Sequence, residues 1–248
     1  MVTEDYYTTF GRRAERGLPP ILASSRHEFH LQAIPEILAD VVAKMAPERH
    51  ERMLDIGCGP GLFLDDLAAR VASVVAMDHE SLLEVVRRDL RATNVELLAG
   101  QFPATRPEGL FDVILAYSVL NYAQTARDAL AFVDAALALL APGGRLLLAD
   151  LPNTDAAKRY RDSSERLRVA AEYEASRAEM RARHPEQYAI EDEIMRNVRP
   201  LELYINDAFI LALLADTRAR GYESYVLPQP RELPFSLSRD DVLIKRRA

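Results

Sequence analysis

The stretch Leu54-Asp55-Ile56-Gly57-Cys58-Gly59-Pro60-Gly61 joins a short apolar run to a helical pattern. Three glycines at alternate positions remove side chains where the backbone must turn sharply and a ligand must come close. Ahead of this loop, residues 52–56 read as a strand. Behind it, 62–71 reads as a helix. Seventeen residues after Gly61, Asp78 closes a second apolar run at 73–77. A carboxylate in that place can accept hydrogen bonds from both hydroxyls of a ribose.

Outward from the loop, short apolar runs alternate with helical stretches. Residues 95–98, 111–116 and 145–149 are further strands, with helices at 81–91 and 123–140 and a turn at Pro142-Gly143-Gly144. Val113-Ile114-Leu115 and Leu146-Leu147-Leu148 are apolar on both faces, which suits parallel strands covered by helices on each side. Five such strands put the glycine loop at the switch point of the sheet, where folds of this kind bind ligands. After Asp150 the alternation stops. Residues 155–183 form a charged helical stretch, Asn206 has the character of an N-cap, and Gly221 that of a helix stop. The runs 223–227 and 241–245 then read as an antiparallel pair closing one edge. Upstream, the apolar spacing over 26–45 is helical, and Pro35 inside it predicts a kink or two helices. Residues 1–25 are irregular, with Ser24-Ser25 offering a helix start.

Glycine loop and carboxylate together also fit a dinucleotide enzyme, so the details of the motif decide. A dinucleotide fingerprint places glycine or alanine three residues after the second glycine, where this chain has Leu62. Asp55, two residues before the first glycine, suits a ligand with a positively charged amino group and no pyrophosphate. On these residues the sequence resembles the class I methyltransferases, whose first motif runs acidic-x-Gly-x-Gly-x-Gly. The resemblance covers roughly residues 50–150. It implies an α/β fold: a doubly wound, seven-stranded, mostly parallel Rossmann-like sheet with a closing antiparallel strand and a helical cap or insertion. It also implies S-adenosyl-L-methionine as methyl donor, with S-adenosyl-L-homocysteine as product. The chain then divides into an N-terminal lid and helix (1–45) and a cofactor-binding domain (46–248) with a helical insertion at about 151–205.

Carried over position by position, the resemblance assigns Asp55, Gly57, Gly59 and Gly61 to the glycine motif and Asp78 to the ribose. Cys58 belongs to the same turn, where its small size matters more than its thiol. His79 joins the cofactor set by adjacency, although taken alone it reads as a surface residue. Gln101 falls where the family often carries an aspartate contacting the adenine amino group, and its carbonyl can accept the same hydrogen bond, with Phe102 beside the ring. Tyr117, in Ala116-Tyr117-Ser118, lies at the methionine end, where an aromatic face favours a sulfonium. The absence of an Asn-Pro-Pro-aromatic pattern there argues against a DNA amine methylase.

Methyl transfer from a sulfonium is an in-line displacement, so the protein mainly aligns two reactants and excludes water. An alcohol acceptor needs a base as well. His27 and His30 on the N-terminal helix are the candidate catalytic residues, with Asp150 and Asn153 as alternatives. His27, Glu28 and His30 do not form the His-Glu-x-x-His zinc pattern, and no metal is expected. Tyr6, Tyr7 and Phe10 read as an N-terminal lid.

Lys and Arg number 31 against 38 Asp and Glu, a formal charge of −7, so no basic footprint for nucleic acid is evident. A single cysteine excludes an internal disulfide and a thiolate zinc cage. No apolar run approaches a membrane span and no signal peptide is evident, so a cytoplasmic protein is expected. The function these features predict is methylation of a small-molecule acceptor on oxygen or nitrogen, for example a sugar or natural-product intermediate, with a homodimer as a possible assembly. The competing readings are an RNA or protein methyltransferase and a non-catalytic scaffold of the same fold.

Overall fold

Seven strands form a single sheet in the order β3-β2-β1-β4-β5-β7-β6. The computed structural model describes residues 3–24, 26 and 31–248. The strands are β1 (Arg52–Ile56), β2 (Ser73–Asp78), β3 (Val95–Ala99), β4 (Phe111–Tyr117), β5 (Leu140–Pro152), β6 (Glu223–Pro228) and β7 (Arg239–Lys245). β1 to β5 pair in parallel, while β7 runs antiparallel between β5 and β6. The chain winds outward from β1 to β3, then returns to β4 on the other flank of β1. Loops leaving β1 and β4 therefore diverge and open a crevice at their C-terminal ends.

Even within uninterrupted apolar runs, neighbours go to opposite faces, because side chains alternate along a strand. Leu54, Ile114, Leu146 and Leu148 pack with Phe132, Val133, Ile210 and Leu213 on one face. Met53, Val113, Leu115 and Leu147 pack with Ile37, Val41, Leu67 and Leu83 on the other. The first set of helical partners belongs to α6 (Ala126–Ala138) and α10 (Asp207–Ala219). The second belongs to α3 (Ile34–Met45), α4 (Leu64–Ala68) and α5 (Glu80–Asp89). The remaining helices are α1 (Tyr6–Glu15), α2 (Pro20–Ala23), α7 (Thr154–Arg159), α8 (Ser164–Arg183) and α9 (Pro185–Met195).

The sheet and its closing antiparallel pair agree with expectation; several boundaries do not. Pro35 makes no kink, because α3 begins at Ile34 and holds the proline in its first turn, where no amide hydrogen is needed. The charged stretch after Asp150 is two helices, with Ser163 accepting from the Arg166 N–H to start the second. No residue of α8 is buried. Pro142-Gly143-Gly144 lies within β5, as an irregularity where the register with β4 jumps from Phe111↔Leu140 to Val113↔Arg145. Asn206 caps α10 by accepting from the Phe209 N–H at 2.9 Å, and Gly221 follows that helix at φ +88°. No helix among the described residues is long and apolar enough to cross a membrane.

Candidate active site

The C-terminal ends of β1, β2, β4 and β5 open onto a cavity of about 720 Å3, the size of a small-molecule site. On the β1–β2 side, the turn after β1 is closed by the Gly57 and Cys58 amides, which donate to the Met77 carbonyl at 2.8 and 3.1 Å. Gly57 has φ +76°, and a Cβ there would lie 2.5 Å from Val119 Cγ2, so both conformation and neighbour demand glycine. Gly59 has φ +58° and, among the described residues, only Ser24 nearby, at 3.9 Å, so its outer face lines the cavity. Gly61, the third motif glycine, packs against Val86 of α5. The Cys58 thiol sits against the Gly59 carbonyl, and burial pushes it well above an ordinary thiol pKa. It has no character of a nucleophile.

Asp78 is fixed at the end of β2. Its two oxygens accept from the Gly59 and His79 amides, each at 2.7 Å, leaving further lone pairs toward the cavity. Burial raises its carboxyl against the pull of those two amides. Asp55 is only 4% exposed and takes no hydrogen bond from the described residues, yet it lines the cavity. Burial pushes its carboxyl up to about 7; the charge of Asp78 adds to the shift and Arg26 opposes it. Such a carboxylate lacks a partner that a cationic ligand can supply.

The neighbouring wall is aromatic. Phe63 and Tyr117 meet edge to face at 5.4 Å, and the Arg26 guanidinium lies over both rings at 5.9 and 5.3 Å. Burial, with the charge of Asp150, raises the Tyr117 phenol far above its ordinary value. Phe102 is buried edge-on to Phe132 at 4.9 Å and lines the cavity floor. Gln101 is exposed at the rim, its amide donating to Asp5 Oδ2 at 3.4 Å.

The ring of His79 turns away from this arrangement. Its Nδ1 accepts from the Ser81 N–H at 3.2 Å, capping α5, and the ring packs on Tyr7 at 5.1 Å. A Cβ on Gly11 would lie 2.3 Å from that ring, so α1 approaches it through glycine. Only the His79 amide serves the site, through Asp78.

The other half of the cavity lies under α1. Tyr122, on a 3-10 turn after β4, packs on Tyr6 at 4.8 Å and Phe10 at 5.0 Å. α1 is tied down by Arg13, which is 2% exposed and pairs with Glu191 of α9 at 3.3 Å. A backbone bridge joins Glu4 to the segment after α9, with the Glu4 amide on Asn197 O and the Arg199 amide on Glu4 O, both 2.8 Å. At the end of β5, Asp150 lies beside Arg239. Asn153 is no base: its amide donates to Asp207 and Asp240 at 2.7 Å each, while its oxygen caps α7. His27 and His30 lie outside the described residues. Among the described residues, no group of His, Cys, Asp or Glu is placed to hold a metal ion.

Reasoning from sequence missed Arg26, Tyr122 and Arg239. None sits in a motif; Arg26 and Arg239 reach the cavity from segments distant in the chain, and Tyr122 from the turn just after β4.

A model of the methyltransferase domain matches residues 29–193 of this chain. Ubiquinone biosynthesis O-methyltransferase of Xanthomonas campestris pv. campestris (strain B100) is 31% identical over 187 residues, covering 71% of this chain and 72% of that protein. The protein of the same description from Xylella fastidiosa (strain 9a5c) is 34% identical over 137 residues, 51% of this chain and 52% of its own length. Among solved structures, the N-methyltransferase NodS from Bradyrhizobium japonicum WM9, in complex with S-adenosyl-L-homocysteine, superposes with a TM-score of 0.60 at 15% identity. That match covers 98% of this chain and 99% of NodS.

Proposed function

Since the chain belongs to the class I S-adenosylmethionine-dependent methyltransferases, we propose that it methylates a hydroxyl oxygen of a small acceptor held beneath α1. The observation that carries this reading is the pair of carboxylates flanking the glycine loop, one with two anchoring amides and one with no hydrogen bond from the described residues. The residues fit the methyl donor. Asp55 would take the ammonium of its methionine end, and Arg26, which interacts electrostatically with Asp55, would take the carboxylate. Asp78 would accept the ribose hydroxyls above the open face of Gly59. Phe102 would lie beneath the adenine with Gln101 at its rim, and Tyr117 would lie beside the sulfonium. When bound, the donor supplies a methyl group already activated by positive sulfur; the chain's task is to align the acceptor and keep water out.

The acceptor's small size is supported by the cover. α1, Arg199 and Arg239 at the start of β7 all line one cavity. Residues 1–45 act as lid and helix, 46–248 as the donor-binding domain, and the insertion at about 151–205 as the cover of the acceptor. Oxygen is favoured as the acceptor atom because the relatives about 30% identical are named O-methyltransferases. The formal charge of −7 supports a small molecule over a nucleic acid as partner, and a cytoplasmic location fits relatives named for bacterial ubiquinone biosynthesis. A homodimer finds support in edge strand β6, where Tyr225 and Val226 are exposed. The test has two arms. S-adenosyl-L-homocysteine is titrated into the protein by calorimetry, and methyl-labelled donor is incubated with hydroxylated and amino small molecules. Label on hydroxyl oxygens supports the reading; label on amines alone, or on added RNA or protein, overturns it.

A further inference from the structure

Asp150 is held more firmly than a residue at a strand end needs to be. It adopts φ +60°, a conformation that aspartate and asparagine enter more easily than most residues. Its amide donates to Asp241 Oδ1 at 2.8 Å, and its carbonyl accepts from Arg239 Nη1 at 3.2 Å. Asp241 is itself buried and fixed by Lys44 at 2.6 Å and by the Gln229 amide at 3.1 Å. One oxygen of the Asp150 side chain, Oδ1, lies 3.6 Å from Arg239 Nε, and the side chain is 18% exposed. It faces the cavity with Tyr117 of β4 and Tyr122 of the following turn, whose phenols both respond to its charge.

The position matters as much as the grip. β4 is paired with β5 to its own end, Tyr117 opposite Ala149, so Asp150 lies one residue past the strand position beside Tyr117. The carboxylates lining the donor half, Asp55 and Asp78, come from β1 and β2, on the other side of β4. Of the other carboxylates that line the cavity, Asp5 caps α1 and takes the Gln101 amide, and Asp128 is bound by Thr125 at the start of α6, whereas Asp150 Oδ2 has no hydrogen-bond partner among the described residues.

We propose that Asp150 is the catalytic base, accepting the acceptor's hydroxyl proton as that oxygen attacks the methyl group; this rests on the methyl-transfer reading above. In that step an oxygen lone pair forms the new O–C bond and the S–C bond breaks with its electron pair left on sulfur. The hydroxyl proton passes to Asp150 Oδ2 and then to solvent, leaving a methyl ether and S-adenosyl-L-homocysteine. Arg239, through Nε and Nη1, positions the carboxylate and does not itself take the proton.

The test uses Asp150→Asn, which keeps the side-chain shape and the tolerance for positive φ. Catechol serves as a hydroxyl acceptor, and thiophenol as one that is ionised without a base. The variant should lose about a hundredfold or more in kcat on catechol near neutral pH. Its rate on thiophenol and its affinity for S-adenosyl-L-homocysteine should stay within about threefold of the parent protein. The catechol deficit should narrow as alkaline pH ionises the phenol. Equal losses on both acceptors, or none on either, overturn the proposal. Should neither acceptor turn over, catechol is titrated into the complex with S-adenosyl-L-homocysteine. Binding at least tenfold weaker in the variant supports the assignment, and equal binding, or none by the parent, overturns it. Failure to bind S-adenosyl-L-homocysteine at all would instead sink the methyl-transfer reading.

Discussion

Replacing Asp55 with asparagine should make the ligand-free protein more stable and the donor site nearly useless. Asp55 is buried without a hydrogen bond from the described residues, and its carboxyl is pushed up to about 7. The unfolded chain ionises the same group near the ordinary value of 3.8. Between those two values the folded state holds a proton that the unfolded state has lost, so stability falls as pH rises through the interval. Three pH units at about 1.4 kcal/mol each give a penalty on the order of 4 kcal/mol by pH 8. Asparagine carries no charge to desolvate and escapes it. For a chain of this length the gain corresponds to a rise in Tm of roughly 10 °C.

Ligand binding should move the other way. The ammonium of the donor's methionine end requires ionised Asp55, so affinity of the parent protein for S-adenosyl-L-homocysteine should fall about tenfold from pH 8 to pH 6, roughly twofold between pH 8 and pH 7 and about fivefold between pH 7 and pH 6. In Asp55→Asn that part of the pH dependence disappears, and affinity at pH 8 drops about a hundredfold. Asp78 is also raised by burial, so subtracting the variant's profile from the parent's isolates Asp55. Thermal unfolding with and without S-adenosyl-L-homocysteine at three pH values measures both effects. A variant no more stable than the parent at pH 8, together with a parent whose affinity is flat from pH 6 to 8, would refute the reasoning.

Asp78→Asn should weaken S-adenosyl-L-homocysteine by about a hundredfold in calorimetry, because an amide cannot replace charge-assisted bonds to both backbone N–H groups and ribose hydroxyls. Gly57→Ala should lower Tm, with a cost of about 1–2 kcal/mol from the left-handed backbone and more from the contact with Val119. Glu191→Ala should cost about 1–3 kcal/mol, since it removes the buried ion pair between α1 and α9. Its signature in hydrogen exchange is loss of protection in α1 ahead of the sheet; uniform loss across both would contradict the clamp between α1 and α9.

The sheet was legible in the residues because the forces that make it are local. Val113-Ile114-Leu115 and Leu146-Leu147-Leu148 are apolar whichever way they face, and only strands buried on both sides need that. Pro35 misled for the opposite reason. A proline has the same identity within a helix and in its first turn, and only the place where α3 begins decides between a kink and a start. Adjacency to Asp78 suggests a place for His79 in the donor site, but its imidazole does not line the cavity. Its ring turns to α1 because Gly11 leaves room there and the Ser81 amide needs a cap.

By itself, the sequence determined which residues of the proposed donor half come together. Gly57, Gly59, Asp55 and Asp78 meet through backbone conformation and short-range placement at two strand ends, which spacing along the chain encodes. The acceptor half was decided only in the tertiary structure. Tyr122, Asp150 and Arg239 belong to no motif, and although the sequence offers Asp150 as an alternative base, nothing in it says what surrounds that carboxylate. Their meeting depends on how α1, the turn after β4 and the returning strand β7 pack over β5. A carboxylate's chemistry is set by its neighbours, and for Asp150 those neighbours, Arg239 and Asp241, arrive about ninety residues later in the chain.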